Sequence, residues 1–358
     1  GMGGVGRLVA TLCRDLKMMV TGVDRDDAHI PDGITYKNVY LTNQSALNDL
    51  LRGQDAVVCC LPFYLNAGVA KAAHENGVHY FDPTEDVATL DLVRELAKTS
   101  KAAMIPQNGL APGFIGIIGS HLTRKFDKGE KLRHIKMRVG ALPQHPIGQL
   151  GYACNWSPTG LVNECIMPCD VIADGERMKV PALSDLETLR IEGGGYEAFN
   201  TSGGLGTMCE TFEGRVETLN YKTIRYFGHH AGMKLLLQDL RFKDEPEELV
   251  KRIADTLPPD PADRVLIYAS VQGKIKGRME SRTFVADYQP IVISGAERTA
   301  ITWTTACSIV AVIEMVGNGT LPQQGFVRQE DIKLEDFIKT NNGSHYAKNH
   351  PVLSKGTV

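Results

Sequence analysis

The chain opens Gly1-Met2-Gly3-Gly4-Val5-Gly6-Arg7-Leu8-Val9-Ala10-Thr11-Leu12, and the reading of this stretch decides the fold. Its first six residues spell G-x-G-x-x-G, and the run behind them reads as the start of a helix. In a dinucleotide-binding βαβ unit Gly1 makes the tight turn, Gly3 lets the backbone approach a pyrophosphate, and Gly6 lets helix and strand pack closely. The phosphates are then expected on the N–H groups around Gly4 and Val5, at the positive end of the helix dipole. Glycine clusters also mark ordinary turns, so the loop needs support from its surroundings. Met18-Met19-Val20-Thr21-Gly22-Val23-Asp24 supplies it: a β-rich run ending in an acid, 18 residues after Gly6. Together they fill the ~30-residue unit that the fingerprint requires. Asp24 is expected on the adenosine ribose, favouring NAD, although Arg25 beside it would pair with the 2′-phosphate of NADP. Asp24 could instead be a helix cap or turn residue, a role that Asp26 and Asp27 could also take.

Such a loop follows a strand that lies mid-sheet, in the order 3-2-1-4-5-6. Here nothing precedes Gly1. The sheet is therefore expected to lack its central ladder, unless the chain extends upstream or properly opens at Met2.

Outward from this unit, strands and helices alternate. Ile34–Tyr36 reads as a short strand and Asn43–Arg52 as a helix. The apolar run Ala56–Leu61, stopped by Pro62, reads as a buried parallel strand, and Asn66–Asn76 as a helix closed by Gly77. Val78–Asp82, Asp86–Thr99 and Ala102–Pro106 continue as strand, helix and strand. The alternation implies a doubly wound parallel sheet of the Rossmann type over residues 1–112. Ligands of such sheets bind beyond the carboxyl ends of the strands, which brings Leu61, Pro62 and Asp82 to one rim. From residue 113 to 297 the rhythm changes. Leu132–Gly140, Glu217–Tyr226, Val265–Val271 and Ser281–Asp287 alternate apolar and polar residues, with helices at Ser157–Asn163 and Glu247–Thr256. This predicts an α+β second domain with a mixed or antiparallel sheet. Thr299–Val316 is a long apolar helix, and residues 298–340 are expected to return onto the first domain. Residues 341–358 read as a polar, loosely held tail.

The balance of 39 basic against 42 acidic residues, net −3, gives no electrostatic reason to expect nucleic acid or an anionic membrane. The run Ile309–Val316 carries Glu314 and is too short to span a bilayer. No secretory signal is evident. The eight cysteines sit mostly in apolar context, as Cys59-Cys60 does, which is expected of buried thiols in a cytoplasmic protein. Cys154, Cys165 and Cys169 lack the pairing and histidine partner of a metal site, so no metal is expected.

Three further stretches carry a resemblance. Pro106-Gln107-Asn108-Gly109-Leu110-Ala111-Pro112-Gly113 resembles the G-x-x-P-G turn that leaves the Rossmann domain in the saccharopine dehydrogenase superfamily. Ala198-Phe199-Asn200-Thr201-Ser202-Gly203-Gly204 and Tyr221-Lys222-Thr223-Ile224-Arg225-Tyr226-Phe227-Gly228-His229 resemble its substrate-domain signatures. Within the superfamily the spacing is most similar to lysine 6-dehydrogenases, with saccharopine reductases close behind. Only the stretch Gln149–Pro168 departs from alignment in the second domain. The resemblance implies NAD(P)-linked chemistry on a carbon–nitrogen bond of an amino acid, and a homodimer or higher homo-oligomer.

The residues themselves add roles. An amino-acid substrate needs its carboxylate held, and the Arg fork does this bidentately. Lys222 and Arg225 are three apart on an alternating strand, so they point to opposite faces. Arg225 is the expected carboxylate ligand and Lys222 the second candidate. Thr201, Ser202, Gly203 and Gly204 offer hydroxyls and N–H groups that can cup an anion, or form a plain turn. Oxidising an amine also requires a base to remove the ammonium proton, and the candidates are His229 and Asp82.

Overall fold

The structure, a computed structural model, describes residues 1–25, 30–39 and 43–353; the alternative capping acids Asp26 and Asp27 lie outside them. The chain divides into two compact units. One comprises residues 1–114, 292–297 and 302–358, the other 115–291 and 298–301.

The first unit begins with α1 (Gly4–Asp15), whose buried residues include Leu8, Val9, Leu12 and Cys13. That spacing is the stripe of a helix lying on a sheet. β1 (Thr21–Asp24) and β2 (Thr35–Asn38) pair in parallel. The β-rich run beginning at Met18 joins this ladder only at Thr21, where β2 runs alongside, and Met19 is fully exposed. Then α2 (Gln44–Leu51), β3 (Ala56–Val58), α3 (Asn66–Asn76), β4 (His79–Phe81), α4 (Val87–Ala97) and β5 (Ala103–Ile105) alternate as expected. Asn43 and Asp86 start α2 and α4 by accepting the N–H groups of Ser45 and Thr89. β3, β4 and β5 are parallel. Val69, Ala70, Ala73, Tyr80, Val93 and Met104 share their core.

Among the described residues no ladder joins β1–β2 to β3–β4–β5. The described parallel strands of this unit thus lie in two ladders. The glycine loop touches both ladders at their carboxyl ends. Gly1 packs on Cys60 just past β3, and the Met2 N–H donates to Asp24 Oδ2 at the end of β1, 2.6 Å away.

The second unit follows α5 (Phe114–Thr123). Its sheet holds eight strands: β6 (Leu132–Pro143), β7 (Cys169–Ala173), β8 (Glu176–Val180), β9 (Glu187–Ile191), β10 (Gly194–Asn200), β11 (Val216–Arg225), β12 (Asp263–Ile275) and β13 (Arg278–Tyr288). The main order is β13-β12-β6-β11-β10-β9, with β7 attached to β11 and β8 to β7. Among the described residues β6–β11 is the one parallel pair of this sheet, so the sheet is mixed. Its helices are α6 (Pro158–Ile166), α7 (Met208–Phe212), α8 (His229–Lys234) and α9 (Pro246–Thr256). Leu161 and Val162 of α6, Met233 of α8, and Leu249 and Ile253 of α9 share one buried cluster with Phe199 of β10. This defines the helix-covered face of the sheet.

A hairpin of β14 (Ile291–Ile293) and β15 (Ala296–Arg298) precedes α10 (Ala300–Gly317). By length and composition α10 could cross a membrane, yet 72% of it is buried within the protein. It is a core helix. β16 (Gly325–Phe326) then pairs in parallel with β5 in the first unit. α11 (Leu334–Phe337) and α12 (Ser344–Lys348) follow.

The expected loose tail is instead docked through residue 353. Glu314 accepts four hydrogen bonds, from the backbone and side-chain amides of Asn341 and Asn342, at 2.8–2.9 Å. Tyr346 is fully buried, stacked on Phe114 and edge-on to Trp303. Polar composition concealed this because the asparagines serve one buried-side carboxylate. Glu314→Ala is therefore expected to cost roughly 2–4 kcal/mol in urea unfolding. It should also open a protease-sensitive site near Asn341. Glu314→Gln should recover less than half, since an amide presents only one accepting oxygen.

Candidate active site

In the first unit the candidate cofactor site is the glycine loop. A β-carbon on Gly6 would meet the Gly1 carbonyl oxygen at 1.9 Å, and one on Gly1 would meet the Cys60 carbonyl at 2.5 Å. These two glycines are demanded by close packing. Gly3 differs: nothing lies within 4 Å of where its β-carbon would be. Gly3 also heads α1 with no side chain capping it. An exposed, side-chain-free helix N-terminus with open space before it fits a pyrophosphate. Leu61 packs against Gly1. Pro62 leads into the helical turn that begins at Phe63. The Asp24 carboxylate ties the loop to itself, accepting the N–H of Met2 and, at 2.7 Å, that of Arg25.

Asp82 directly follows β4 and is fully buried. Its Oδ1 accepts the N–H groups of Thr84 (2.8 Å) and Gln107 (3.1 Å), joining two rim loops. Gln107 adopts φ 61°, a left-handed conformation held by that bond. Burial pushes the Asp82 carboxyl up to about 6. A turn-fixing role is thus evident in the geometry, and it is the alternative to a base.

In the second unit the strand alternation separates the two candidate cations, as the sequence predicts. Lys222 stands opposite Asn200 and Arg138 in the register. It is ion-paired with Asp185 (2.8 Å) and Glu187 (3.1 Å), and Glu187 also pairs with Arg138. Lys222 is therefore part of a balanced ionic cluster. Arg225 points to the helix-covered face. Its Nη2 donates to Glu164 Oε1 of α6 at 3.1 Å, and its guanidinium carbon lies 5.1 Å from the centre of the Tyr152 ring. Both members of this pair are buried, 3% and 4% exposed.

His229 lies in the same cluster, 5.4 Å from the Tyr152 ring centre and stacked on Phe199. Its Nδ1 bonds the Leu150 carbonyl at 2.8 Å, which makes Nδ1 the protonated nitrogen and leaves Nε2 a lone-pair acceptor. Burial, with Arg225 second, pushes this imidazole down to about 3. It is neutral at pH 7 and a weak proton store, which counts against the expected general base. Burial pushes the Glu164 carboxyl up to about 7, against the pull of Arg225.

The Thr201–Gly204 loop is not an open anion cup. The Ser202 N–H donates to the Glu164 carbonyl and its hydroxyl to that of Pro168. Gly204 is required by the Tyr221 ring, 2.4 Å from where its β-carbon would sit. Thr201 keeps a buried hydroxyl. Among the described residues, Arg225 Nε, His229 Nε2 and Thr201 Oγ1 are buried polar atoms without a hydrogen-bond partner. Buried polar groups are satisfied in most folded proteins, so this set calls for a polar ligand. Sequence reasoning missed Glu164 and Tyr152. Glu164 did carry a signal, being a lone acid three and four residues from Leu161 and Gly160 on the buried face of α6.

With this geometry in hand, comparison with known proteins decides the family. Residues 1–106 match the saccharopine dehydrogenase NADP binding domain, and residues 109–341 the saccharopine dehydrogenase C-terminal domain. The chain belongs to the saccharopine dehydrogenase family. The fold of saccharopine dehydrogenase (L-Glu forming) from Saccharomyces cerevisiae superposes with a TM-score of 0.72 at 17% identity, covering 94% of each chain. Mitochondrial alpha-aminoadipic semialdehyde synthases of Rattus norvegicus and Mus musculus are each 24% identical over 140 residues, 38% of this chain. The match spans 15% of the length of those relatives. The matched first domain is an NADP binding domain, which favours NADP where Asp24 had suggested NAD.

Proposed function

We propose that this family member is an NADP-dependent oxidoreductase acting on a carbon–nitrogen bond of lysine or a lysine-derived amino acid. The observation that carries the reading is the buried trio of Arg225 Nε, His229 Nε2 and Thr201 Oγ1 without partners in the family's C-terminal domain. Arg225 binds the substrate carboxylate. His229, fixed as an acceptor by Leu150, orients an N–H of the amine, and Thr201 adds a second polar contact. Gly3, Gly4 and Val5 would hold the pyrophosphate of a nicotinamide cofactor, which would supply hydride chemistry at the C–N carbon. Asp24 has both oxygens engaged by loop amides, and Arg25 follows it exposed, which supports NADP over NAD.

Two substrate readings remain. In a lysine 6-dehydrogenase the imine hydrolyses to a semialdehyde and ammonia. A saccharopine-type enzyme instead makes or cleaves a bond between two amino acids, and the family and the semialdehyde-synthase relatives favour this second reading. Incubation with L-lysine or L-saccharopine and either cofactor tests both. Reduced nicotinamide with free ammonia marks the first, and reduced nicotinamide with a released amino acid marks the second. Higher kcat/KM with NADP than with NAD is expected, and Asp24→Ala should widen the difference. Cofactor binding by calorimetry without turnover of either amino acid would leave a non-catalytic binding protein. A cytoplasmic homo-oligomer belongs to the same proposal, and light scattering of the purified protein reads its size.

A further inference from the structure

The Arg225 fork is half used. Nη2 reaches Glu164 while the adjacent Nε has no acceptor, although both are buried. A guanidinium edge of this kind takes a carboxylate through two parallel hydrogen bonds. Glu164 therefore stands where a ligand carboxylate would bind, and contributes only one of the two bonds.

Entry of a second carboxylate raises a charge problem. The groups that interact with Glu164 or Arg225 are Tyr152 from the preceding loop, Cys165 on α6, Cys169 on β7, Tyr221 on β11 and His229 on α8, whose neighbour is His230; Glu197 of β10 is the register partner of Arg225. Burial pushes the Tyr152 hydroxyl well above its ordinary range and Cys169 up to about 12, and holds His229 down at about 3. All three are neutral at pH 7. His230 bonds the Leu183 carbonyl through Nε2. Glu197 stands opposite Arg225 in the register and accepts the N–H groups of Gly228 and His230. Arg225 is ion-paired with the Glu164 carboxylate, and a second carboxylate on the same guanidinium would leave buried negative charge without compensation, which is costly.

We propose that Glu164 is an exchange partner for the substrate carboxylate: as the ligand takes the Nε and Nη2 edge of Arg225, Glu164 yields it and takes up one proton from solvent. The balance is simple. A carboxylate enters, a proton enters, no covalent bond other than O–H forms, and the cluster's charge is unchanged. Burial already brings the Glu164 carboxyl to about 7, so the proton is taken at little cost near neutral pH. Glu164 is a positioning residue that makes affinity depend on pH.

The inference rests on Arg225 as the carboxylate ligand, and the test separates the two. The probe is L-saccharopine, with L-lysine as the alternative, titrated by calorimetry into the NADP-loaded protein. Measurements run from pH 6 to 9 in buffers of different ionisation heat. Wild type is expected to take up close to one proton per ligand above pH 7, with Kd rising about tenfold per pH unit beyond pH 8. Glu164→Gln mimics the protonated acid. It should bind with no proton uptake and a flat pH profile, and Glu164→Asp should restore part of the uptake. Binding by wild type without proton uptake, or the same uptake in Glu164→Gln, overturns the exchange. If Arg225→Ala and Arg225→Lys both bind as wild type does, the Arg225 reading itself fails. Absence of binding by both amino acids removes both.

Discussion

Arg225→Ala lowers kcat/KM for the amino acid by about two to three orders of magnitude, the expected consequence of losing a buried bidentate carboxylate contact of roughly 2–4 kcal/mol. NADP affinity is unchanged, because the glycine loop belongs to the other compact unit. Arg225→Lys recovers only part, since a point charge cannot form two parallel bonds. Stability is the complication. Removing one partner of a buried pair strands the other, but Glu164 can neutralise itself by protonation. The sign follows from linkage. A carboxyl raised from 4.5 to about 7 on folding contributes stability that is fully present below pH 4.5 and lost as pH rises through 7. The Arg225→Ala variant, without its cation, should lose stability with rising pH more steeply than wild type in urea melts at pH 6 and 8. Pairing it with Glu164→Gln should flatten that dependence without returning activity. Normal turnover by Arg225→Ala, alongside loss in Lys222→Ala, would instead place the substrate on the opposite strand face.

Gly3→Ala and Gly6→Ala should behave differently although both alter the same motif. Gly3 has extended backbone at φ −68°, ψ −167° and open space where a β-carbon would go. Gly3→Ala is therefore expected to fold as wild type, within about 0.5 kcal/mol. Its methyl group would occupy the approach of the pyrophosphate, so NADP affinity should fall about 10- to 100-fold. In Gly6→Ala the methyl would collide with the Gly1 carbonyl at 1.9 Å, and loop and affinity should be lost together. Thermal melting and cofactor titration on the two variants separate these outcomes. A Gly3→Ala protein binding NADP at wild-type strength would show that this loop is a turn and nothing more.

The contrast marks how far the sequence could be read. The alternation of α2, β3, α3, β4, α4 and β5 was legible because each element is short, periodic and closed by Gly, Pro or a capping residue. The strands β6, β11, β12 and β13 were legible because apolar and polar residues alternate along them, although some of the polar ones, Arg138 and Lys222 among them, are buried. β7 to β10 were not, since Cys169–Asn200 mixes short, largely exposed strands such as β8 with turns and lacks a clear alternation. The docked tail was misread for a related reason. Asn341, Asn342 and Tyr346 look like a polar terminus until Glu314, 27 and 28 residues before the two asparagines, stands beside them.

The site divides the same way. By itself the sequence determined the glycine loop, the opposition of Lys222 and Arg225, and the family signatures, because backbone geometry and strand period act over a few residues. Only the tertiary structure decided that Arg225 faces Glu164 and Tyr152 while Lys222 faces Asp185 and Glu187. It also decided that His229 is a neutral acceptor and that Asp82 holds two loops. Burial and charge pairing set those properties, and both depend on which distant residues the fold brings within a few ångströms.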